Sequence, residues 1–186
     1  MNQLIQVIFK DTNKDQFYSI LKKLIVIAFA SSFLALIDGG GPYFIPLILG
    51  SFIVYQFYEE KQRIKFVVYF LPFIFLAIFF TSGGSFLFHN LFNETLIFNE
   101  RELSWMFAGV WASYIVIIIV WMFFKVQIKV IHFVLLSLLI PIPYLLNLNA
   151  VAERFGIFFF YFLWNAGLSV VLSIMFSQNK STKINL

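Results

Sequence analysis

The sequence contains no cysteine and only two histidines, His89 and His132. Without cysteine the chain can form no disulfide, no thiolate metal site and no cysteine nucleophile. The two histidines are predicted near opposite faces of a membrane, so they cannot share one metal centre. The sequence therefore leads us to predict no metal site, no catalytic residue and no cofactor.

Charged residues are also scarce, at 12% of the chain, which is about half the share in a soluble domain. Hydrophobic residues make up 61% of the chain, and 27 of its 186 residues are phenylalanine. The mean hydropathy is +0.91. This composition excludes an ordinary water-soluble core and predicts an all-α, polytopic transmembrane helical bundle in a single integral membrane domain, residues 1–186. The net charge of +4 resides in short runs between apolar segments, so it indicates orientation in a bilayer and not nucleic-acid binding.

Residues 155–177, FGIFFFYFLWNAGLSVVLSIMFS, contain no charged side chain. A bilayer core of about 30 Å is crossed by about 20 helical residues at about 1.5 Å each, so this run predicts a membrane-spanning helix. Further apolar runs complete a bundle of about six spans. The predicted spans are approximately 19–37, 42–58, 66–81, 105–124, 130–146 and 156–176.

Three further features are predicted between and within these spans: a short connection, an interfacial helix and a break at two prolines. Residues 38–42, DGGGP, form so short a connection that the first two spans make either a tight hairpin or a re-entrant pair of half-helices. Residues 86–99 place apolar and polar side chains on opposite faces of a helix, which predicts a helix in the outer interface. Pro141 and Pro143 are expected to kink the fifth span or to end its regular part.

The basic residues test this topology independently of hydropathy. If all six runs cross, every lysine and arginine except Arg101 and Arg154 falls on the side that holds both termini. The positive-inside rule then makes both termini cytoplasmic. The frequent use of Phe, Ile and Asn is typical of an AT-rich genome, and we expect the membrane to be a bacterial inner membrane.

Polar side chains recur every fourth residue along the last span, in a polar seam formed by Tyr161, Asn165, Ser169 and Ser173. The Asn165 amide is predicted near mid-depth, where exposure to lipid is costly, so it should face another helix or water. Residues of this kind usually form helix contacts; the alternative is a substrate or ion path. Ser31 and Ser32 give the first span a small-residue face with the same two interpretations.

A second polar group is predicted at the outer face and comprises Asp38, His89, Glu94 and Arg101. Together these side chains could act on a lipid or a glycan. Solvation of the loops explains the same composition, and we favour that interpretation.

Three functions are consistent with these features. A permease-like or transport-associated membrane component matches the size and topology, and the sequence has no nucleotide-binding loop, so an ATP-driven version would need a separate ATPase or other membrane subunit. A non-transporting interaction protein, such as an assembly factor, an immunity protein or a homo-oligomeric pore or effector, would show the same sequence. A lipid-modifying enzyme would depend on the outer-face residues.

Overall fold

The computed structural model describes residues 9, 11–36, 44–57, 100–146 and 154–178, together with Val68, Pro72, Leu76 and Phe79. In these ranges the regular secondary structure is helical and contains no strand. The predicted all-α class is therefore confirmed. The 38–42 connection and the predicted interfacial helix at 86–99 lie outside the described residues.

The described ranges contain six α-helices, which we number in chain order. They are α1 (Lys14–Ser32), α2 (Phe44–Phe57), α3 (Glu100–Phe124), α4 (Val130–Leu139), α5 (Ile142–Leu145) and α6 (Arg154–Ser177). A 3-10 helix, Phe33–Leu36, follows α1 directly. Helix α1 begins before the predicted start of the first span at residue 19, because Asn13 caps it by accepting a hydrogen bond from the Gln16 backbone N–H at 3.2 Å. The bounds of that span remain a prediction.

Helices α1 and α6 pack side by side in opposite directions. At one end the Asn13 backbone N–H donates to the Ser177 carbonyl at 3.3 Å. At the other end the Phe29 ring lies edge-on to Phe158, with ring centroids 5.2 Å apart. Because α4 and α5 also contact α6, this helix has neighbours on several sides.

The C-terminal half of α6 is enclosed all round. From Val171 to Gln178 every residue is buried. The Phe176 ring stacks on Phe57 of α2 with centroids 3.9 Å apart, and the Phe124 ring of α3 contacts it edge-on at 5.5 Å. The middle of the described bundle therefore lies along this half of α6.

Proline divides the fifth predicted span into α4 and α5. Pro141 and Pro143 have no N–H, which removes the hydrogen bonds that the carbonyls of Ser137 and Leu139 would accept in a continuous helix. Helix α6 comes close to this break at Gly167, where an added Cβ would lie 3.1 Å from the Cβ of Leu139. The prolines thus end the regular part of the span, as the sequence predicts.

Two of the helices are long and apolar enough to cross a membrane: Met106–Phe124 within α3 and Gly156–Ser177 within α6. The apolar stretches Ile48–Phe57 and Val130–Leu145 are shorter. For the predicted 66–81 span, the four described residues are all helical and exposed. The count of six spans therefore remains a prediction.

Candidate functional site

Large apolar side chains are found both in the buried core and on the exposed faces of the helices, and several polar side chains are buried as well. Large apolar side chains are exposed on the long helices, among them Val26 and Phe29 on α1, Trp111 and Ile118 on α3, and Val134 and Leu138 on α4. Polar side chains are buried, namely Ser31, Ser32, Ser113, His132, Asn165, Ser169, Ser173, Ser177 and Gln178. Broad apolar faces mark contact with a membrane or another protein, and buried polar groups are typical of membrane bundles.

The structure places three members of the polar seam inside the bundle. Asn165, Ser169 and Ser173 are buried, and Tyr161 is half-buried at the N-terminal end of the seam. The Ser169 hydroxyl donates to the Asn165 carbonyl, and the Ser173 hydroxyl donates to the Ser169 carbonyl, both at 2.7 Å. Each serine donor is therefore satisfied within α6, which leaves the small side chains to pack against neighbouring helices.

The seam is longer than the sequence analysis predicted. Ser177 continues the spacing of four beyond Ser173, and its hydroxyl donates to the Ile174 carbonyl at 3.0 Å. Gln178 follows directly, and the two residues are only 4% and 5% exposed. The sequence analysis ended the seam at Ser173 and assigned Gln178 to a polar tail, so neither residue was included. The unbroken spacing from Tyr161 is the signal that could have identified Ser177.

Asn165 differs from the serines because its amide donor is not satisfied. The residue is 6% exposed, and within the described part of the chain its Nδ2 is buried without a hydrogen-bond partner. Asn165 and Phe176 lie about three helical turns apart and so share one face of α6. On that face, the Phe176 ring contacts Phe57 of α2 and Phe124 of α3.

Ser31 and Ser32 lie away from the C-terminal part of the seam, which contains Ser169 and Ser173. Both hydroxyls are buried and donate to the Ala28 carbonyl, at 3.1 and 2.7 Å. The neighbouring Phe33 ring contacts Phe158 near the start of α6, with centroids 4.6 Å apart. In this antiparallel arrangement the two α1 serines sit toward the N-terminal turns of α6, whereas Ser169 and Ser173 sit toward its C-terminal end.

The sequence analysis also missed two polar contacts that join the middle of α3 to its neighbours. The Trp164 indole N–H donates to the Ser113 hydroxyl at 3.0 Å, and this hydroxyl donates to the Gly109 carbonyl at 2.9 Å. The Tyr114 hydroxyl is hydrogen-bonded to the Ser137 hydroxyl of α4. Single polar residues in an apolar run carry no periodic signal, so these contacts could not be read from the sequence.

The predicted outer-face group remains a prediction. Asp38, His89 and Glu94 lie outside the described residues, and Arg101 belongs to α3 through its backbone while its side chain is not among those described. In the described part of the chain no group of three or more histidine and carboxylate residues could hold a metal ion.

Comparison with protein families, curated proteins and solved structures finds no match for this chain. Residue roles therefore depend on the geometry of the chain itself. Within the described residues, Asn165 Nδ2 on the polar seam and His132 Nε2 in α4 are buried polar atoms without a hydrogen-bond partner.

Proposed function

We propose that this chain is a polytopic integral membrane protein of about six spans, with both termini on the cytoplasmic side of a bacterial inner membrane. The exposed apolar faces and the two helices of membrane-spanning length support the membrane location. The contact between Asp11 and Lys129 is consistent with the topology, because it brings together two segments that the six-span arrangement places on the same side.

Within the membrane, the chain acts as a permease-like, transport-associated component that has no ATPase of its own. The observation that carries this proposal is the buried amide of Asn165, which has no hydrogen-bond partner for its Nδ2 among the described residues and lies on a polar seam inside an apolar bundle. An unpaired donor in a medium of low dielectric is costly, so its retention favours a step in which it gains an acceptor. A polar substrate that passes along α6 would supply that acceptor.

The break between α4 and α5 supports the same proposal. It lies beside Gly167, two residues after Asn165, and a discontinuous helix gives the bundle a point at which it can bend. The seam serines are fully buried, so transport requires a rearrangement that exposes them. A bend at the break is one way in which α4 can move away from α6.

A second candidate is a non-transporting interaction protein that packs on a membrane subunit, an ATPase or copies of itself. The seam serines favour it, because their hydroxyls donate within α6 and their small side chains allow close helix approach. Replacing Asn165 by leucine separates the two functions. A packing role predicts a changed oligomer mass or changed recovery of partners, and a transport role predicts normal assembly.

Cysteine accessibility gives a direct test, because the natural sequence is free of cysteine. A thiol reacts with a small charged thiosulfonate only where water can reach it and form the thiolate. In membrane vesicles, transport predicts that Ser169→Cys reacts faster than Val171→Cys, a buried control away from the seam. Lys125→Cys, at an exposed turn, reports that the reagent is active.

Equal, negligible modification of Ser169→Cys and Val171→Cys would contradict the transport proposal. The interaction protein would then be the better account, and mass determination of the purified complex would identify its oligomeric state. Modification of Ser169→Cys alone would exclude a purely packed seam.

A further inference from the structure

The C-terminal end of the polar seam, at Ser177 and Gln178, is in contact with residues from the N-terminal segment. The Gln178 side-chain amide donates to the Thr12 hydroxyl at 3.2 Å, and the Asn13 backbone N–H donates to the Ser177 carbonyl at 3.3 Å. The Lys129 ammonium forms an ion pair with Asp11 at 3.0 Å, which attaches the same segment to the turn before α4. Residues 11–13 thus contact both the end of α6 and the start of α4.

His132 fills the space between these segments. Its side chain is fully buried and its Nδ1 accepts a hydrogen bond from the Lys129 backbone N–H at 3.1 Å, while its Nε2 has no hydrogen-bond partner in the described part of the chain. Because Nδ1 acts as an acceptor, the neutral imidazole carries its proton on Nε2. The ring lies in the first turn of α4 without any contact to solvent.

Burial at this end of α6 is unusual for the last turn of a helix. Ser177 and Gln178 are as buried as residues in the middle of the bundle, whereas Lys129 and Asp11 remain 34% and 54% exposed at the side chain. The covering layer is therefore thin. Residues 11–13 therefore separate Ser177 and Gln178 from water at this end of the seam.

We propose that residues 11–13 form a latch that closes the cytoplasmic end of the polar seam by holding Ser177 and Gln178, and that release of this latch admits water and polar solutes to Ser173. This inference rests on the proposed transport function, since a seam used only for packing needs no entrance. The contacts suit a latch because an exposed ion pair contributes little and two hydrogen bonds can be exchanged for bonds to water.

The test measures modification of Ser173→Cys by a small charged thiosulfonate added to the cytoplasmic face of membrane vesicles. Thr12→Ala removes the acceptor of the Gln178 amide, while Thr12→Ser keeps a hydroxyl and serves as the matched control. Loss of one hydrogen bond is expected to raise the population of the open state, and with it the modification rate, by about tenfold. Thr12→Ser should leave the rate unchanged.

A second variant locks the latch in place of opening it. Thr12→Cys and Gln178→Cys are oxidised to a disulfide in the Ser173→Cys background, and peptide mass spectrometry reports which thiol is modified. Locking should suppress modification of Ser173→Cys, and reduction of the disulfide should restore it. Recovery of the disulfide also shows that both variants are folded with the two segments in contact.

The inference would be overturned if Ser173→Cys were modified at the same rate with Thr12→Ala, with the natural latch and with the oxidised Thr12→Cys/Gln178→Cys pair. If Ser169→Cys still reacts more readily than Val171→Cys in that case, the transport proposal stands and only the latch fails. If Ser169→Cys and Ser173→Cys are unreactive from both faces in every variant, the transport proposal fails together with the latch.

Discussion

Replacing Asn165 by leucine should stabilise the folded protein. Leucine has the same number of side-chain heavy atoms as asparagine, and the change removes an amide donor that is buried without a partner in the described part of the chain. An unsatisfied buried donor costs about 1–3 kcal/mol. Burying more apolar surface adds little in a bilayer, because the unfolded reference state is also surrounded by lipid. The increase in the free energy of unfolding should therefore come only from removal of the buried amide donor.

Polar groups also find some partners in the unfolded membrane state, so we expect the lower half of that range, about 1–2 kcal/mol. For a chain of this length each kcal/mol shifts the melting temperature by about 2–4 °C. Helix unfolding in mild detergent, followed by circular dichroism, should show this increase for Asn165→Leu. Asn165→Ala should gain less, because it also leaves a cavity. A melting temperature that falls for Asn165→Leu would refute the reasoning, since it would mean that the amide is paired in the folded protein.

Other substitutions test the packing around the seam in the same melting assay. Trp164→Phe keeps an aromatic ring but removes the indole donor to Ser113, and we expect a loss of about 0.5–1.5 kcal/mol; no change would show that this bond does not hold α3 to α6. Gly167→Leu should cost about 1–3 kcal/mol, because even a Cβ at this position lies 3.1 Å from Leu139; normal stability would contradict the close approach of α6 to the helix break. Lys125→Gly should stabilise by about 1 kcal/mol, because Lys125 has a left-handed φ of 52° that glycine adopts without strain, and a decrease would contradict this origin of strain.

The sequence predicted the helical class and the last span well, and the reason is the length of the apolar run. Residues 155–177 have no charge to interrupt the pattern, and α6 ends at Ser177, beside the predicted boundary at 176. Helix α1 begins at Lys14, five residues before the predicted start of the first span, in a segment where Lys14 and Asp15 lower the local hydropathy. The cap at Asn13 and an acidic side chain in the first turn favour helix there in spite of the charges.

The spacing of the seam residues could be recognised in the sequence, whereas the contacts between different helices could not. A spacing of four residues is a local property of one helix, so Asn165, Ser169 and Ser173 could be recognised as one group. The contact of Trp164 with Ser113 joins residues 51 positions apart, and that of Lys129 with Asp11 joins residues 118 positions apart. Such pairs depend on how the helices pack, which a hydropathy pattern does not determine.

The central claim is that α3 crosses a membrane with its two ends on opposite sides. Single cysteines placed at Arg101 and Lys125, in the cysteine-free natural sequence, would measure this with a membrane-impermeant thiol reagent. The account predicts that Lys125→Cys is modified only from the cytoplasmic face and Arg101→Cys only from the opposite face. Modification of both positions from the same face, or recovery of the protein outside the membrane fraction, would contradict it.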